Sequence, residues 1–165
     1  MNWEEWAEKL FCLIPSFRLR PSLEKLRGVK VGEGTRISQF AMIIGSKKLT
    51  IGKNCFIGKF VVIDALKEPI TIEDNVKIAG HSAILSHETA YTRELGKRAG
   101  PIIIKKNAYI SQGTIVLSNV TIGEGAIVGA GSVIIEDVPP YTLVVGVPAK
   151  PIKKVKKNVT HHTIP

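Results

Sequence analysis

Aliphatic residues recur at every sixth position along most of the chain. Read in threes, the series is Val31, Ile37, Ile43; Ile51, Ile57, Ile63; Ile72, Ile78, Ile84; Ile104, Ile110, Val116; and Ile122, Val128, Ile134. The phase slips only after a third member, by two residues after Ile43, three after Ile63 and fourteen after Ile84. The simplest account is a coil of three six-residue sides, with each insertion leaving at the same corner. Five such coils then stack between about residue 31 and residue 138, as a parallel solenoid with an aliphatic core.

Two other positions of the repeat fit this interpretation. The fourth residue after the aliphatic is small or short, as in Thr35, Cys55, Ala108, Ala41 and Ser82. The third residue after the first aliphatic of each coil is glycine or asparagine: Gly34, Asn54, Asn75, Asn107 and Gly125. These two residue types tolerate the left-handed backbone that a sharp corner requires. A β-sandwich would instead show strands that alternate with a period of two, so we expect short strands joined by tight corners.

The end of the repeat carries a specific signature. Residues 120–154, VTIGEGAIVGAGSVIIEDVPPYTLVVGVPAKPIKK, resemble the C-terminal signature of hexapeptide-repeat acyltransferases, and the likeness covers about residues 29–154. Sugar, xenobiotic and surface-polysaccharide O-acetyltransferases are the similar members. The resemblance implies an all-β fold, a left-handed parallel β-helix, assembled as a homotrimer with active sites in the clefts between subunits. It also implies acetyl-coenzyme A as co-substrate and no requirement for a metal.

Three regions follow from the repeat and its flanks. Residues 1–28 form an N-terminal helix and lead-in, residues 29–146 form the β-helix with an external loop at 88–101, and residues 147–165 form a basic tail. Trp3, Trp6, Leu10 and Leu13 lie at helical spacing, and Pro15 ends that helix. We expect the helix to cover the open end of the solenoid or to pack on another subunit, since an exposed sheet edge invites aggregation. Contact with a membrane surface is the alternative, because several basic residues follow the helix.

Composition narrows the classes of partner. The chain has 165 residues, 44% of them apolar, which suits one domain with a true core. Its net charge of +9 favours phosphate-bearing ligands, nucleic acid or an anionic membrane surface. Nucleic acid is not expected, because the basic residues lack interleaved aromatics. Two cysteines, no signal-peptide pattern and no long apolar run favour a cytoplasmic protein.

Two histidines in the repeat occupy corner positions. His81 shares its corner position with Phe40 and Phe60, which predicts an outward aromatic ladder and a structural role. His87 ends its coil and opens the fourteen-residue excursion, in the context Ser86-His87-Glu88. The family has its catalytic histidine in a similar Ser-His context before a long loop. The resemblance therefore implies His87 as general base, a role that imidazole suits near neutrality, and Glu88 as the catalytic carboxylate that orients it.

The cofactor-binding and substrate-binding residues also follow from the resemblance. Gln112 falls where the family lines the thiol end of the pantetheine arm, and Ala130 falls where a turn backbone meets that arm. Lys150 and Lys153 fall where basic residues meet the nucleotide phosphates. Backbone N–H groups from Ser111 to Gly113 are the expected donors to the tetrahedral oxyanion.

The acceptor is expected to be a sugar, a nucleotide sugar or a related polar molecule. Tyr109 is expected to border the cleft, and Tyr91 and Arg93 in the loop suggest a polar acceptor. Galactoside-type enzymes carry an asparagine pair in the coil before the histidine, where this chain reads FIGKFVV at 56–62, so a simple galactoside is not expected. Ile135-Glu136 stands where relatives often have Thr-Lys, which removes one expected coenzyme contact.

The leading hypothesis is an acetyl-coenzyme A-dependent acetyltransferase that modifies a hydroxyl or amino group without a covalent intermediate. Two alternatives stay open. A metal hydratase like the γ-class carbonic anhydrases shares the solenoid but needs three histidines on zinc, and the coils hold only His81 and His87. A non-catalytic scaffold solenoid is the third hypothesis, and the long loop after His87 argues against it.

Overall fold

Short parallel strands build a three-sided prism. The structure is a computed structural model, and it describes Trp6, Leu10, Leu13, residues 19–87 and residues 99–157. These residues include the helix α1 (Arg20–Leu26), a short 3-10 helix (Ser46–Lys48) and seventeen strands arranged in three sheets, and Trp6 and Leu10 are also helical. From β1 to β15 successive strands belong to successive sheets, so each coil contributes one strand to each face of the prism.

From β1 to β15 each face is a parallel sheet with one strand per coil, and β16 and β17 extend the second face. The first face contains β1 (Lys30–Val31), β4 (Leu49–Ile51), β7 (Ile70–Ile72), β10 (Ile102–Ile104) and β13 (Val120–Ile122). The second contains β2 (Arg36–Ile37), β5 (Phe56–Ile57), β8 (Lys77–Ile78), β11 (Tyr109–Ile110), β14 (Ile127–Val128), β16 (Thr142–Gly146) and β17 (Ala149–Lys154). The third contains β3 (Met42–Ile44), β6 (Val62–Asp64), β9 (Ala83–Leu85), β12 (Ile115–Val116) and β15 (Val133–Ile134). We call the turn after the first face the first corner, and name the second and third corners likewise.

The observed register matches the six-residue repeat. Val31 lies beside Ile51, Ile51 beside Ile72, and Ile104 between Ile72 and Ile122. The other two faces show the same columns, and every aliphatic residue of the series is at most 8% exposed. Because the side-chain period of a strand is two, a slip of one residue would turn these groups outward. The column of isoleucines therefore fixes the register of the whole prism.

Left-handed backbone occurs where the sequence predicts it. The first corner has φ values of 54° to 72° at Gly34, Asn54, Asn75, Asn107 and Gly125. The second corner is also left-handed, with φ between 58° and 69°, at Phe40, Phe60, His81, Gly113 and Gly131. Bulky residues adopt this conformation rarely, so sequence reasoning anticipated the first corner and not the second.

A charged cluster closes the N-terminal end of the prism. Arg20 and Glu24 of α1 are fully buried, and Arg27, directly after the helix, is 4% exposed. Arg20 Nε donates to Glu24 Oε1 at 3.0 Å, and Arg27 Nη1 donates to Glu24 Oε2 at 2.8 Å. Both guanidinium groups also donate to backbone carbonyls of the first coil, Arg20 to Ala41 and Arg27 to Ile43. These carbonyls have no preceding coil to bond, so the arginines satisfy groups that would otherwise be buried unpaired.

The structure describes only part of the expected N-terminal helix. Of the predicted helix over residues 3–14, the structure describes Trp6, Leu10 and Leu13, of which the first two are helical. All three side chains are more than half exposed. α1 covers this end of the prism, and its arginines reach the first-coil carbonyls that an apolar side chain could not satisfy. The capping role expected of residues 3–14 stays a prediction.

A hairpin closes the C-terminal end. β16 continues the second face beyond the fifth coil, with Leu143 beside Ile127. β17 then pairs antiparallel with β16, so residues 149–154 of the expected basic tail form an ordered strand. Pro151 and three lysines lie on this outermost strand, and such residues discourage further strand addition at a sheet edge.

The buried ion cluster generates a stability prediction. Glu24→Gln removes the carboxylate that neutralises two buried guanidinium groups, so we expect the free energy of unfolding to fall by about 3–5 kcal/mol. Equilibrium urea unfolding followed by circular dichroism measures the change. Glu33→Gln is the matched control, because Glu33 is exposed and its substitution should change stability by less than about 0.5 kcal/mol. Equal stabilities for the two variants would contradict the assigned role of Glu24.

Candidate active site

His87 lies at the neck of the external excursion. It follows β9 at the third corner, and its side chain is 17% exposed. An isolated antiparallel bridge joins His87 to Ala99, and the Gly100 N–H donates to the Ser86 carbonyl at 3.1 Å. The buried Ser86 hydroxyl accepts from the Glu68 N–H at 3.3 Å. The backbone around His87 is therefore held on both sides, which fixes the position from which its ring projects.

Among the described residues, Asp64 is the acidic side chain that faces this imidazole. His87 Nδ1 lies 3.8 Å from Asp64 Oδ1, and the carboxylate is 18% exposed. Nδ1 is buried and makes no hydrogen bond, since 3.8 Å is beyond hydrogen-bonding distance. Asp64 Oδ1 accepts from the Leu66 N–H at 3.0 Å, which keeps the carboxylate in place. A small rotation of either side chain would close the remaining gap.

Sequence reasoning missed Asp64, although a signal was present. Asp64 comes one coil before His87, and β6 pairs with β9 so that Asp64 lies beside Leu85. The three-residue slip after Ile63 already implied that register. The predicted partner Glu88, together with Tyr91 and Arg93, lies outside the described residues, so these three assignments stay predictions.

The predicted pantetheine-binding residues lie together at the second corner. Ser111, Gln112 and Gly113 form this corner in the fourth coil, and Ala130 belongs to the same corner in the fifth. The Gly131 N–H donates to the Gln112 carbonyl at 2.9 Å, so the two turns are stacked. A Cβ placed on Gly131 would meet nothing within 4 Å, and one on Gly113 would meet only the Gly131 nitrogen at 3.9 Å. The corner thus presents bare backbone beside open space, which fits a narrow acyl-carrying arm.

Two of the three backbone donors expected for the oxyanion are already used. The Ser111 N–H donates to the Val128 carbonyl and the Gly113 N–H to the Gly80 carbonyl, both at 3.0 Å. Both bonds belong to the ladder between coils. Among the described hydrogen bonds, the Gln112 N–H takes part in none as donor. The expectation of a donor between residues 111 and 113 therefore narrows to Gln112.

The aromatic ladder predicted around His81 is confirmed. The Phe40 and Phe60 rings stack with centroids 5.0 Å apart, and the Phe60 and His81 rings with centroids 4.9 Å apart. Stacking of this kind offsets part of the strain of left-handed backbone at bulky residues. His81 lies at the second corner and His87 at the third, so the two imidazoles cannot bind one metal ion within a chain.

The two predicted phosphate-binding lysines lie on β17. Lys150 Nζ is 3.6 Å from Glu136 Oε2, and both side chains are more than 60% exposed. Glu136 is one of the residues that depart from the family pattern, and its carboxylate lies beside Lys150, which is predicted to bind a nucleotide phosphate. Lys153 is exposed on the same strand. Tyr109 lies on the outer side of the second face between Lys77 and Ile127, away from the third corner.

The predicted base and the predicted pantetheine-binding residues therefore occupy two different corners of one chain. His87 and Asp64 are at the third corner, whereas the pantetheine-binding residues are at the second. The whole width of the third face separates them, six residues of extended chain from His81 to His87, or about 20 Å. A single chain cannot bring these groups into contact.

The outer side of the third face is apolar across all five coils. Its outward residues are Met42, Val62, Ala83, Ile115 and Val133 in one row, and Ile44, Asp64, Leu85, Leu117 and Ile135 in the next. Met42 and Ile115 are 41% and 38% exposed. Asp64 is the one charged residue in these two rows. A continuous apolar surface of this kind is typical of a protein–protein interface.

A cleft at another place on the prism is lined by charged side chains that already have partners. It has a volume of about 540 Å³ and lies at the first corner, between Glu73, Lys105, Glu124, Asp137 and Pro140. Lys105 Nζ donates to Glu73 at 2.9 Å, Tyr141 donates to Glu124, and Asp137 accepts from the Thr121 N–H at 2.7 Å. Burial opposes ionisation of Glu73, but hydrogen bonds from Lys105 and the Lys106 N–H outweigh it and lower the pKa of Glu73. These carboxylates stabilise the corner rather than bind a ligand.

Cys55 is an inward core residue, as predicted. Its side chain is 1% exposed, and its thiol donates to the Glu73 carbonyl at 3.0 Å. Burial raises the pKa of the Cys55 thiol to about 11. Since the thiolate is the nucleophile, Cys55 is unsuited to a covalent acyl intermediate near neutral pH.

Comparisons with known proteins bear on the family. Two family profiles match, Bacterial transferase hexapeptide (six repeats) at residues 101–136 and Hexapeptide repeat of succinyl-transferase at residues 48–84. The serine acetyltransferase of Bacillus subtilis is 32% identical over 142 residues, which are 84% of this chain and 56% of that protein. The dTDP-4-amino-4,6-dideoxy-D-glucose acyltransferase of Escherichia coli is 30% identical over 168 residues, covering 83% of this chain and 88% of that protein.

Solved structures give the same result for the fold. The hexapeptide-repeat acetyltransferase of Vibrio cholerae superposes with a TM-score of 0.85 at 26% identity, over 94% of this chain and 90% of that one. That acetyltransferase has also been solved with acetyl-coenzyme A, with a TM-score of 0.83. The chain belongs to the hexapeptide-repeat acyltransferase family, and its prism is a left-handed parallel β-helix. It spans less than half the length of some curated relatives, for example 39% of the serine acetyltransferase of Buchnera aphidicola.

The raised pKa of Cys55 generates a labelling prediction. In a Cys12→Ser variant Cys55 is the single thiol, and at pH 8 its thiolate fraction is small. We expect a disulfide reagent to label it roughly 10²-fold or more slowly than an exposed cysteine, and to label it fully after unfolding. The labelling rate should rise with pH up to about 11, the pKa of the group. Rapid labelling of the native protein at pH 8 would contradict this burial.

Proposed function

We propose that this protein transfers an acetyl group from acetyl-coenzyme A to a hydroxyl or amino group of a sugar, carried on a nucleotide. The Escherichia coli relative, similar over most of both chains, is named for a dTDP-linked amino sugar, which supports this class of acceptor. The observation that carries the proposal is the His87 imidazole, held at the neck of the excursion with Nδ1 turned towards Asp64. A cytoplasmic location is part of the same proposal, since the described cysteine is a free thiol.

His87 acts as the general base in this proposal. Acetyl-coenzyme A supplies an activated thioester when it is bound. His87 Nε2 removes the proton from the acceptor hydroxyl or amine as that group attacks the thioester carbonyl, and then returns the proton to the departing thiolate. The Gln112 N–H donates a hydrogen bond to the developing oxyanion. Cys55, the cysteine in the described part of the chain, takes no part, because it is buried and protonated near neutral pH.

Asp64 is the positioning residue in this mechanism. A carboxylate near Nδ1 favours the tautomer that carries its proton there, which leaves Nε2 free to accept a proton. It also stabilises the imidazolium that forms after proton transfer. Glu88 remains an alternative for this role from the sequence. Asp64 is preferred because its carboxylate is 3.8 Å from Nδ1 and is itself held by the Leu66 N–H.

We further propose that the site forms between copies of the chain in a homotrimer. His87 and the Gln112 corner are a face-width apart within a chain, so each must meet its counterpart on another copy. The apolar outer side of the third face, which lies between these two corners, is the surface that such a contact would bury. Three prisms packed side by side close with threefold symmetry and give three equivalent sites.

The first test is binding and turnover. Saturating acetyl-coenzyme A should raise the melting temperature, because a ligand that binds only the native state stabilises it. Release of free thiol from acetyl-coenzyme A is then followed with free sugars and with UDP- and dTDP-linked amino sugars. His87→Ala should lower kcat about 10²- to 10⁴-fold while the thermal shift stays unchanged.

Two further variants give the His87 assignment its controls. Asp64→Asn should lower kcat less than His87→Ala does and should change the pH profile of kcat, which a purely structural substitution would not move. His81→Ala is the matched histidine control, and its kcat should stay within about tenfold of the wild type because its ring belongs to the aromatic ladder. Loss of turnover in His81→Ala with an unchanged rate in His87→Ala would refute the assignment.

Subunit complementation tests the shared site. His87→Ala damages the third corner, and Gly131→Trp fills the open space beside Ala130 at the second. Each variant alone should be nearly inactive. Mixed trimers, made by co-expression with two affinity tags, should recover part of the activity, because some clefts then combine two intact corners. No recovery in purified mixed trimers would show that both corners of one site come from the same chain.

A further inference from the structure

Large apolar side chains are concentrated, uncovered, at the N-terminal end of the prism. Trp6, Leu10, Leu13, Leu19 and Leu26 are between 55% and 75% exposed. Trp6 and Leu10 are helical, and the Leu13 N–H donates to the Leu10 carbonyl at 3.2 Å. The spacing of four and three residues places these three side chains on the same side of a helix. The Gln39 amide donates to the Leu13 carbonyl at 3.3 Å. This contact attaches the segment to the first coil, at the same end of the prism as α1.

The outward side of α1 combines apolar and basic residues. Its inward side is occupied by Arg20 and Glu24, while Lys25 and Leu26 face solvent. Lys47 lies beside the end of this helix, because its Cγ is 3.5 Å from the position a Cβ would take on Gly28. Lysines therefore border the exposed Leu26 side chain.

The charge of this end is basic on its surface. Residues 19–48 contain seven basic and two acidic side chains. One of the acids, Glu24, is buried between Arg20 and Arg27, so it contributes nothing to the outer surface. Four lysines are exposed here, namely Lys25, Lys30, Lys47 and Lys48, against the single exposed carboxylate of Glu33.

We propose that this end of the prism binds the surface of a bilayer that contains anionic lipids. Trp6, Leu10 and Leu13, with Leu26 of α1, enter the headgroup region, and the neighbouring lysines contact lipid phosphates. A tryptophan beside leucines, bordered by lysines, has the composition of an interfacial surface rather than of a span. No helix in the described part of the chain is long and apolar enough to cross a membrane, so the contact is peripheral.

An anionic bilayer fits this end better than a second copy does. Two copies that met end to end would bring the same exposed lysines against each other, and like charges at close range oppose such a contact. A lipid surface supplies the opposite charge over the whole end. If the proposed homotrimer forms, its three parallel prisms present three such ends to one surface, which raises the apparent affinity.

Vesicle binding measured by flotation and by tryptophan fluorescence tests this inference. Both tryptophans of the chain, Trp3 and Trp6, lie in this segment, so the emission reports on it alone. The full chain is mixed with vesicles of phosphatidylcholine, or of phosphatidylcholine with phosphatidylglycerol. We expect flotation and a blue shift with the anionic vesicles, both weakened by high salt. Leu10→Ser with Leu26→Ser should weaken binding at least about tenfold.

The opposite end of the prism offers a matched control. Val147 and Ile152 are 71% and 59% exposed, beside Lys150 and Lys153, so Val147→Ser with Ile152→Ser removes similar apolar groups from a similarly basic surface. This variant should bind as the wild type does. The inference is overturned if neither vesicle binds, if charge makes no difference, or if only the control variant loses binding. A changed oligomeric state of Leu10→Ser with Leu26→Ser without lipid would also overturn it, because another copy would then cover this end.

Discussion

In-register stacking of one aliphatic side chain per six residues is the constraint on which the rest of the structure depends. The side chains of each aliphatic column are buried, and burying such a side chain stabilises the fold by about 1.5–3 kcal/mol. Because the columns fix the register, every other hexad position is stacked as well. The same arithmetic that builds the core therefore aligns Asn54 with Asn75 at one corner and Phe60 with His81 at another. The residues of the candidate site must therefore occupy positions whose stacking the core has already fixed.

This constraint explains why the candidate site is divided. A three-sided coil puts neighbouring corners a full strand apart, so a groove at the second corner and a base at the third cannot meet in one prism. The third face between them carries Asp64 as its one charged outward residue in an otherwise apolar surface. That carboxylate lies at the edge of the face, where it reaches His87. An interface between subunits that buries the apolar rows of the third face and leaves the third corner open would keep the Asp64 carboxylate beside the cleft between subunits.

Periodicity predicted the faces, the core and the first corner, since these depend on the repeat alone. It did not predict the caps, because the ends of a solenoid are where the repeat stops. Arg20 and Arg27 are among the basic residues after the predicted helix that suggested a membrane contact, yet both are buried because the first-coil carbonyls need donors. Asp64 was missed for another reason: it is remote from His87 in sequence, and only the register across the slip after Ile63 brings the two together. The resemblance supplied the roles of Gln112 and Ala130, which spacing alone could not assign.

The two ends of the prism solve the same problem with different chemistry. At the C-terminal end, β17 adds an antiparallel strand whose lysines and Pro151 discourage further pairing. At the N-terminal end, guanidinium groups donate hydrogen bonds to the first-coil carbonyls directly, so no further strand is needed there. The outer side of α1 therefore does not have to pair with the backbone of the prism. Because the inner side of α1 makes polar contacts, its leucine Leu26 points outward. Either another molecule covers this side chain, or its exposure to water is tolerated. The basic border of Leu26 favours the first explanation, because lysines at such a rim match an anionic surface and would repel an identical one.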